Sequence, residues 1–143
     1  VTEHFGVYAV WWQEGRIVLV RKARGPYVGL LDLPGGSPEA GESEVDTLRR
    51  ELQEECGVEL VRVVDSAAFE FAVDRDSAGR PIDFRHSGVV SRVEVASRVV
   101  HDIAAEDVRG VVLATAADAR MFSPLVVEAF RRFPELTPRA GAE

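Results

Sequence analysis

Glu51, Glu54 and Glu55 stand at i, i+3 and i+4 in a run of good helix formers. On a helix, that spacing brings three carboxylates to one side. Like charges so placed repel one another by about 0.2–0.5 kcal/mol per pair. A metal site would account for that cost. Carboxylate oxygens suit hard divalent cations such as magnesium, and phosphate oxygens can complete the coordination shell. A solvated acidic face is the plainer alternative, and the triplet alone does not exclude it.

The elements that must carry these groups are legible nearby. Ser43 is a good N-cap, and Glu44 and Asp46 fall in the first turn, where the helix dipole favours negative charge. Val45, Leu48, Leu52 and Cys56 recur at helical spacing, and Gly57 is a natural stop. The pattern predicts a helix over Glu44 to Cys56, with Cys56 a small buried hydrophobe rather than a nucleophile.

Upstream, the apolar runs Phe5 to Trp12 and Arg16 to Arg21 flank Gln13, Glu14 and Gly15, which predicts a hairpin. Lys22 to Leu31 reads as a loop, and Leu33-Pro34-Gly35-Gly36 breaks any regular element. Downstream, Glu59 to Val73 predicts one or two strands, with Ile82 to Val95 returning antiparallel past a turn at Asp76 to Gly79. Val108 to Leu113 predicts another strand, and Thr115 a cap for a short Ala-rich helix. Ser123-Pro124 opens a helix to about Phe133. Residues 1–134 form a single expected mixed α/β domain, and residues 135–143 a flexible tail.

The formal net charge of −7 argues against a protein that grips polymeric nucleic acid through a broad basic surface. No apolar run reaches the ~20 residues that span a bilayer, so no membrane partner is expected. Cys56 is the single cysteine, which excludes an internal disulfide and fits the reducing cytoplasm, the expected location.

Gly36 is followed after five residues by Glu42, then after seven more by Arg50-Glu51-Leu52-Gln53-Glu54-Glu55-Cys56-Gly57-Val58. The stretch Gly36 to Val58 resembles the signature box of the Nudix hydrolases, with its defining positions filled, and Leu33-Pro34-Gly35 resembles the usual approach to it. The resemblance implies an α/β/α sandwich with a mixed sheet between helices. It implies that Glu51, Glu54 and Glu55 bind Mg2+ or Mn2+, with the Gly35 carbonyl as a further ligand. Arg50 belongs to the same catalytic set, and its implied partner is Glu42 in an ion pair tying loop to helix. Gly36, Glu42 and Gly57 are structural positions of the motif. Glu51 is the first choice as general base; other branches use a late-loop carboxylate, for which Asp102, Glu106 and Glu94 are candidates.

Arg21, Lys22 and Arg24 stand just before the box loop, and Arg21 and Arg24 are the favoured phosphate contacts. Trp11, Trp12, Phe69, Phe71 and Phe84 are available to stack on a base, although each is more often a core residue. The implied partner is a small nucleotide, and a homodimer is left open. No proline lies some fifteen residues past the box and no tyrosine follows Tyr27. By elimination, the expected substrate is a (deoxy)nucleoside triphosphate or related nucleotide. The alternatives are an ADP-ribose or nucleotide-sugar pyrophosphatase, and a non-catalytic nucleotide-sensing or protein-binding domain. Retention of all three carboxylates favours the enzyme.

Overall fold

In the computed structural model, residues 1–100 and 107–139 are described. The strands are β1 (Thr2–Val10), β2 (Trp12–Gln13), β3 (Arg16–Lys22), β4 (Leu31–Asp32), β5 (Gly35–Gly36), β6 (Leu60–Arg75), β7 (Pro81–Val95) and β8 (Val108–Ala114). The α-helices are α1 (Glu44–Cys56) and α2 (Pro124–Arg132). One sheet runs β5-β1-β7-β6 and is mixed, because β1 lies parallel to β7 while its other pairings are antiparallel. In the second sheet β3 pairs with β2, β4 and β8.

β1 departs from the sequence expectation. The apolar runs form a hairpin only at its tip, where Trp12 pairs with Ile17 and Gln13 with Arg16. β1 itself joins the other sheet, with Thr2 to Val10 in register beside Phe84 to Arg92. The reason is burial on both faces. Val7, Ala9 and Trp11 pack with Leu48, Leu52 and Cys56 of α1, whereas Tyr8 and Val10 pack toward Leu125, Val126 and Ala129 of α2. A strand buried on both sides reads as a continuous apolar run and belongs in the middle of a sheet, with neighbours at both edges. β3 divides likewise, Val18 and Val20 facing α1 and Ile17 and Leu19 facing α2. The sheets are therefore held between the two helices.

α1 has its expected limits. Ser43 Oγ accepts from the Asp46 N–H at 3.1 Å, and Gly57 closes the helix in the left-handed region at φ 67°. Thr115 caps a 3-10 helix, Ala116–Met121, in a reciprocal capping box with Asp118. The tail is tied down further than expected: Pro134–Leu136 forms a 3-10 turn, Leu136 packs on the core, and Glu135 pairs with Arg92 at 3.1 Å. Residues 140–143 of that tail lie outside the described residues. No helix among the described residues is long and apolar enough to cross a membrane.

Candidate functional site

A cleft of about 560 Å³ opens where α1, the Gly35–Gly36 strand and the Lys22 to Tyr27 segment meet, and Glu51, Glu54 and Glu55 all line it. Glu51 and Glu55 sit at the margin of the helix face that packs on β1. They are only 7% and 3% exposed, whereas the Glu54 side chain is half exposed.

The glycines before α1 fit these carboxylates. Glu55 Oε1 accepts from the Gly35 N–H at 3.0 Å, which ties the helix to the turn. Gly35 adopts φ 143°, and a Cβ there would run into the Val7 carbonyl oxygen. A Cβ on Gly36 would occupy the space taken by the Glu51 carboxylate. The turn lies against β1 as β5, Gly36 opposite Val7 and Gly35 opposite Tyr8.

Arg50 joins the acidic groups. Its Nε and Nη2 donate to the two Glu42 oxygens at 2.7 and 2.9 Å, and Nη2 also reaches the Ser37 carbonyl at 3.2 Å. Nη1 donates to Glu51 Oε1 at 2.8 Å and to Glu54 Oε2 at 3.4 Å. The Arg50–Glu42 pair implied by the motif is thus present, and it spans loop and helix.

Charge is unevenly balanced across the cluster. The Arg50 fork and the Glu39 N–H hold Glu42 down at about 2. Burial pushes Glu51 up to about 7, helped by its hydrogen bond with Glu54 and opposed by Arg50. Burial likewise pushes Glu55 up to about 8, with the Glu51 charge adding and the Gly35 N–H and Lys22 opposing. For both buried carboxylates burial thus outweighs the positive charge nearby, and hard oxygen donors of this kind suit a divalent cation. Among the described residues, no three His, Cys, Asp or Glu side chains already converge as a finished ligand set. Their present orientation is set by Arg50 and by the Gly35 N–H.

The cleft lining also carries cations and rings. Lys22 and Arg24 line the cleft, and Arg24 pairs with Asp107, which lines it as well. Arg21 is placed differently: its guanidinium donates to the Gly29 carbonyl at 3.3 Å, and it is not among the lining residues. Strand alternation is the cause, since Lys22 shares the α1-facing side of β3 with Val18 and Val20. Of the aromatic candidates only Phe84 lines this cleft, beside His4 and Tyr27, which the sequence did not single out. Glu94 pairs with Arg62 at 2.7 Å away from the cleft lining. Asp102 and Glu106 lie outside the described residues.

Two further buried polar groups went unread in the sequence. Asp32 is 3% exposed, accepts from Ser123 Oγ at 2.6 Å, and is raised above the usual carboxylate range by burial. His86 bridges two hydroxyls, with Tyr8 at Nε2 and Tyr27 at Nδ1, both at 2.8 Å. The available signal was slight: a lone acidic residue between Leu31 and Leu33, and a histidine inside a strand.

Burial, with the charges of His4 and Lys22, pulls His86 down to about 3. Below the ordinary value of 6.5 the unfolded chain binds a proton here that the folded chain refuses. This contribution to stability is complete above pH 6.5 and is lost as pH falls from there toward 3. At pH 5 the loss relative to pH 7 should be about 2 kcal/mol. Urea unfolding of wild type and His86→Gln at both pH values isolates it, because the opposing carboxylate contributions are common to both proteins. An equal pH response in the two would contradict a neutral His86.

A family model described as NUDIX domain matches residues 2–134. The chain is 31% identical over 70 residues to the ADP-ribose pyrophosphatase of Methanocaldococcus jannaschii, covering 49% of this chain and 41% of that protein. It is 30% identical over 79 residues to the RNA pyrophosphohydrolase of Bartonella clarridgeiae, covering 54% of this chain and 46% of that one. The match thus spans less than half the length of either relative. In fold it is similar to the crystal structure of a MutT protein from Methanosarcina mazei, with a TM-score of 0.70 at 20% identity over 94% of both chains.

Proposed function

The chain belongs to the Nudix domain family, and from that premise we propose that it hydrolyses a phosphoanhydride bond in a nucleoside diphosphate linked to another group, with Mg2+ or Mn2+ as cofactor. The observation that carries this reading is one cleft lined by Glu51, Glu54 and Glu55 together with Lys22 and Arg24. Glu51, Glu54 and Glu55 would hold the cation, with the Gly35 carbonyl as a further ligand. A bound divalent cation supplies neutralisation of the phosphates and activation of the attacking water.

The chain's own groups do the rest. Glu51 takes the proton from the attacking water. Lys22 and Arg24 hold the phosphate oxygens, and without them a pocket of carboxylates would repel the substrate. Gly35 and Gly36 leave the Glu51 carboxylate room and fix that of Glu55. Phe84 and His4, with ring centroids 6.4 Å apart, offer flat surfaces to the nucleoside.

The substrate proposed first is a (deoxy)nucleoside triphosphate or related nucleotide. ADP-ribose is a second reading of equal standing, favoured by the similarity to an ADP-ribose pyrophosphatase. Product release from ordinary and oxidised nucleoside triphosphates, ADP-ribose, nucleotide sugars and dinucleoside polyphosphates decides between them. Metal-dependent cleavage is expected for the wild type, with loss in Glu54→Gln and Glu55→Gln. Turnover unchanged in both variants would remove these residues from the site.

A further inference from the structure

Arg50 divides its guanidinium between two tasks. The Nε–Nη2 edge grips Glu42 with two bonds of 2.7 and 2.9 Å and reaches the Ser37 carbonyl. Glu42 is itself fixed, accepting from the Glu39 N–H at 2.8 Å and from Thr47 Oγ1 at 3.1 Å. This edge is an anchor. Nη1 does something else: it bridges Glu51 at 2.8 Å and Glu54 at 3.4 Å, the second a long contact to a half-exposed carboxylate. The three cleft carboxylates do not converge as a ligand set, and two of them are turned to this one nitrogen.

We propose that Arg50 is a placeholder cation, whose Nη1 holds Glu51 and Glu54 in the metal-free protein and releases them to a divalent ion, while Nε and Nη2 keep Glu42. This rests on the metal-dependent reading given above. A divalent ion carries twice the charge of the guanidinium and binds several oxygens at once, so it displaces the Nη1 contacts without breaking the anchor. The placeholder would keep the carboxylates from repelling one another before loading. It also makes every loading event a competition with an internal cation. An arginine that served only to aim Glu51 would behave oppositely, because its contact would have to persist in the loaded protein.

The two roles differ in sign. Calorimetric titration of the metal-free protein with MnCl2 is the test, on wild type, Arg50→Gln and Arg50→Lys. Removing the competing charge should tighten manganese binding in Arg50→Gln by about tenfold, and Arg50→Lys should return the affinity toward wild type. Binding that is weakened or unchanged in Arg50→Gln overturns the placeholder and leaves the hydrolase reading standing. A wild type and an Arg50→Gln that both ignore manganese overturn the two together.

A second arm needs no variant. A crystal structure of the wild type with manganese should show Nη1 parted from Glu51 and Glu54, with both Glu42 bonds kept. Nη1 still within 3 Å of Glu51 beside a bound ion overturns the proposal.

Discussion

Glu51→Gln should lower metal-dependent hydrolysis by on the order of 10³-fold and, at the same time, make the metal-free protein more stable at pH 8. The first effect follows from losing both a metal-binding oxygen and the group placed to take the proton. The second follows from burial. Glu51 is 7% exposed, and its carboxyl ionises only near 7, against an ordinary value of 4.5. A group raised in this way favours the folded state below about pH 4.5, and that advantage is lost as pH rises through 7. At pH 8 the charged Glu51 is therefore worse placed in the folded protein than in the unfolded chain. Glutamine keeps the shape and removes the charge, for a gain on the order of 2 kcal/mol. Near pH 4 the two proteins should unfold almost together. Urea unfolding with a chelator present, at pH 8 and pH 4, gives the stability side, and the substrate panel gives the activity side. A variant that is inactive but destabilised at pH 8 would show that the Glu51 charge is already balanced without metal.

The largest structural effect is expected at Gly88. Its backbone has φ 148°, a conformation essentially reserved for glycine, and it pairs with Gly6 across the parallel β1–β7 ladder. A Cβ at Gly88 would strike the Gly6 carbonyl oxygen, which is backbone and cannot swing aside. Strain and overpacking together should cost Gly88→Ala on the order of 3–5 kcal/mol. Gly79→Ala is the control, because Gly79 also has a positive φ, at 83°, but a Cβ there meets nothing within 4 Å. It should cost only about 1 kcal/mol. The urea midpoints of the two variants separate close approach from backbone strain. Equal losses would mean that the sheet yields easily at Gly88.

What the sequence could say about this site depended on how locally each part is built. α1 and its acidic face were legible because cap, stripe, stop and carboxylates all lie within one helix and the turn before it. The Arg50–Glu42 pair followed from the motif for the same reason. The rest of the cleft lining comes from β1, the Lys22 to Tyr27 segment, β4 and β7, and nothing in those stretches announces that Asp32, Tyr27 and His86 share it. Arg21 and Lys22 could not be told apart, because β3 is apolar on both faces and alternation has no polar side to point to. The N-terminal hairpin was overextended for a similar reason: an apolar run shows that a strand is buried, not which strand lies beside it.

The parallel pairing of β1 with β7 also bears on how the molecule comes together. Thr2 lies beside Phe84, and Val10 beside Arg92, so the central ladder of the first sheet joins residues some eighty positions apart. β6 and β7, by contrast, are neighbours along the chain and share one long antiparallel hairpin. Loop closure of the first kind costs more chain entropy and comes more slowly than the second. β7 also brings Phe84 and His86 to the cleft lining, so the cleft is incomplete until that distant closure is made. Assembly of the cleft is tied to the slowest contact in the sheet, and a chain halted before β7 would hold every box residue and still lack a site.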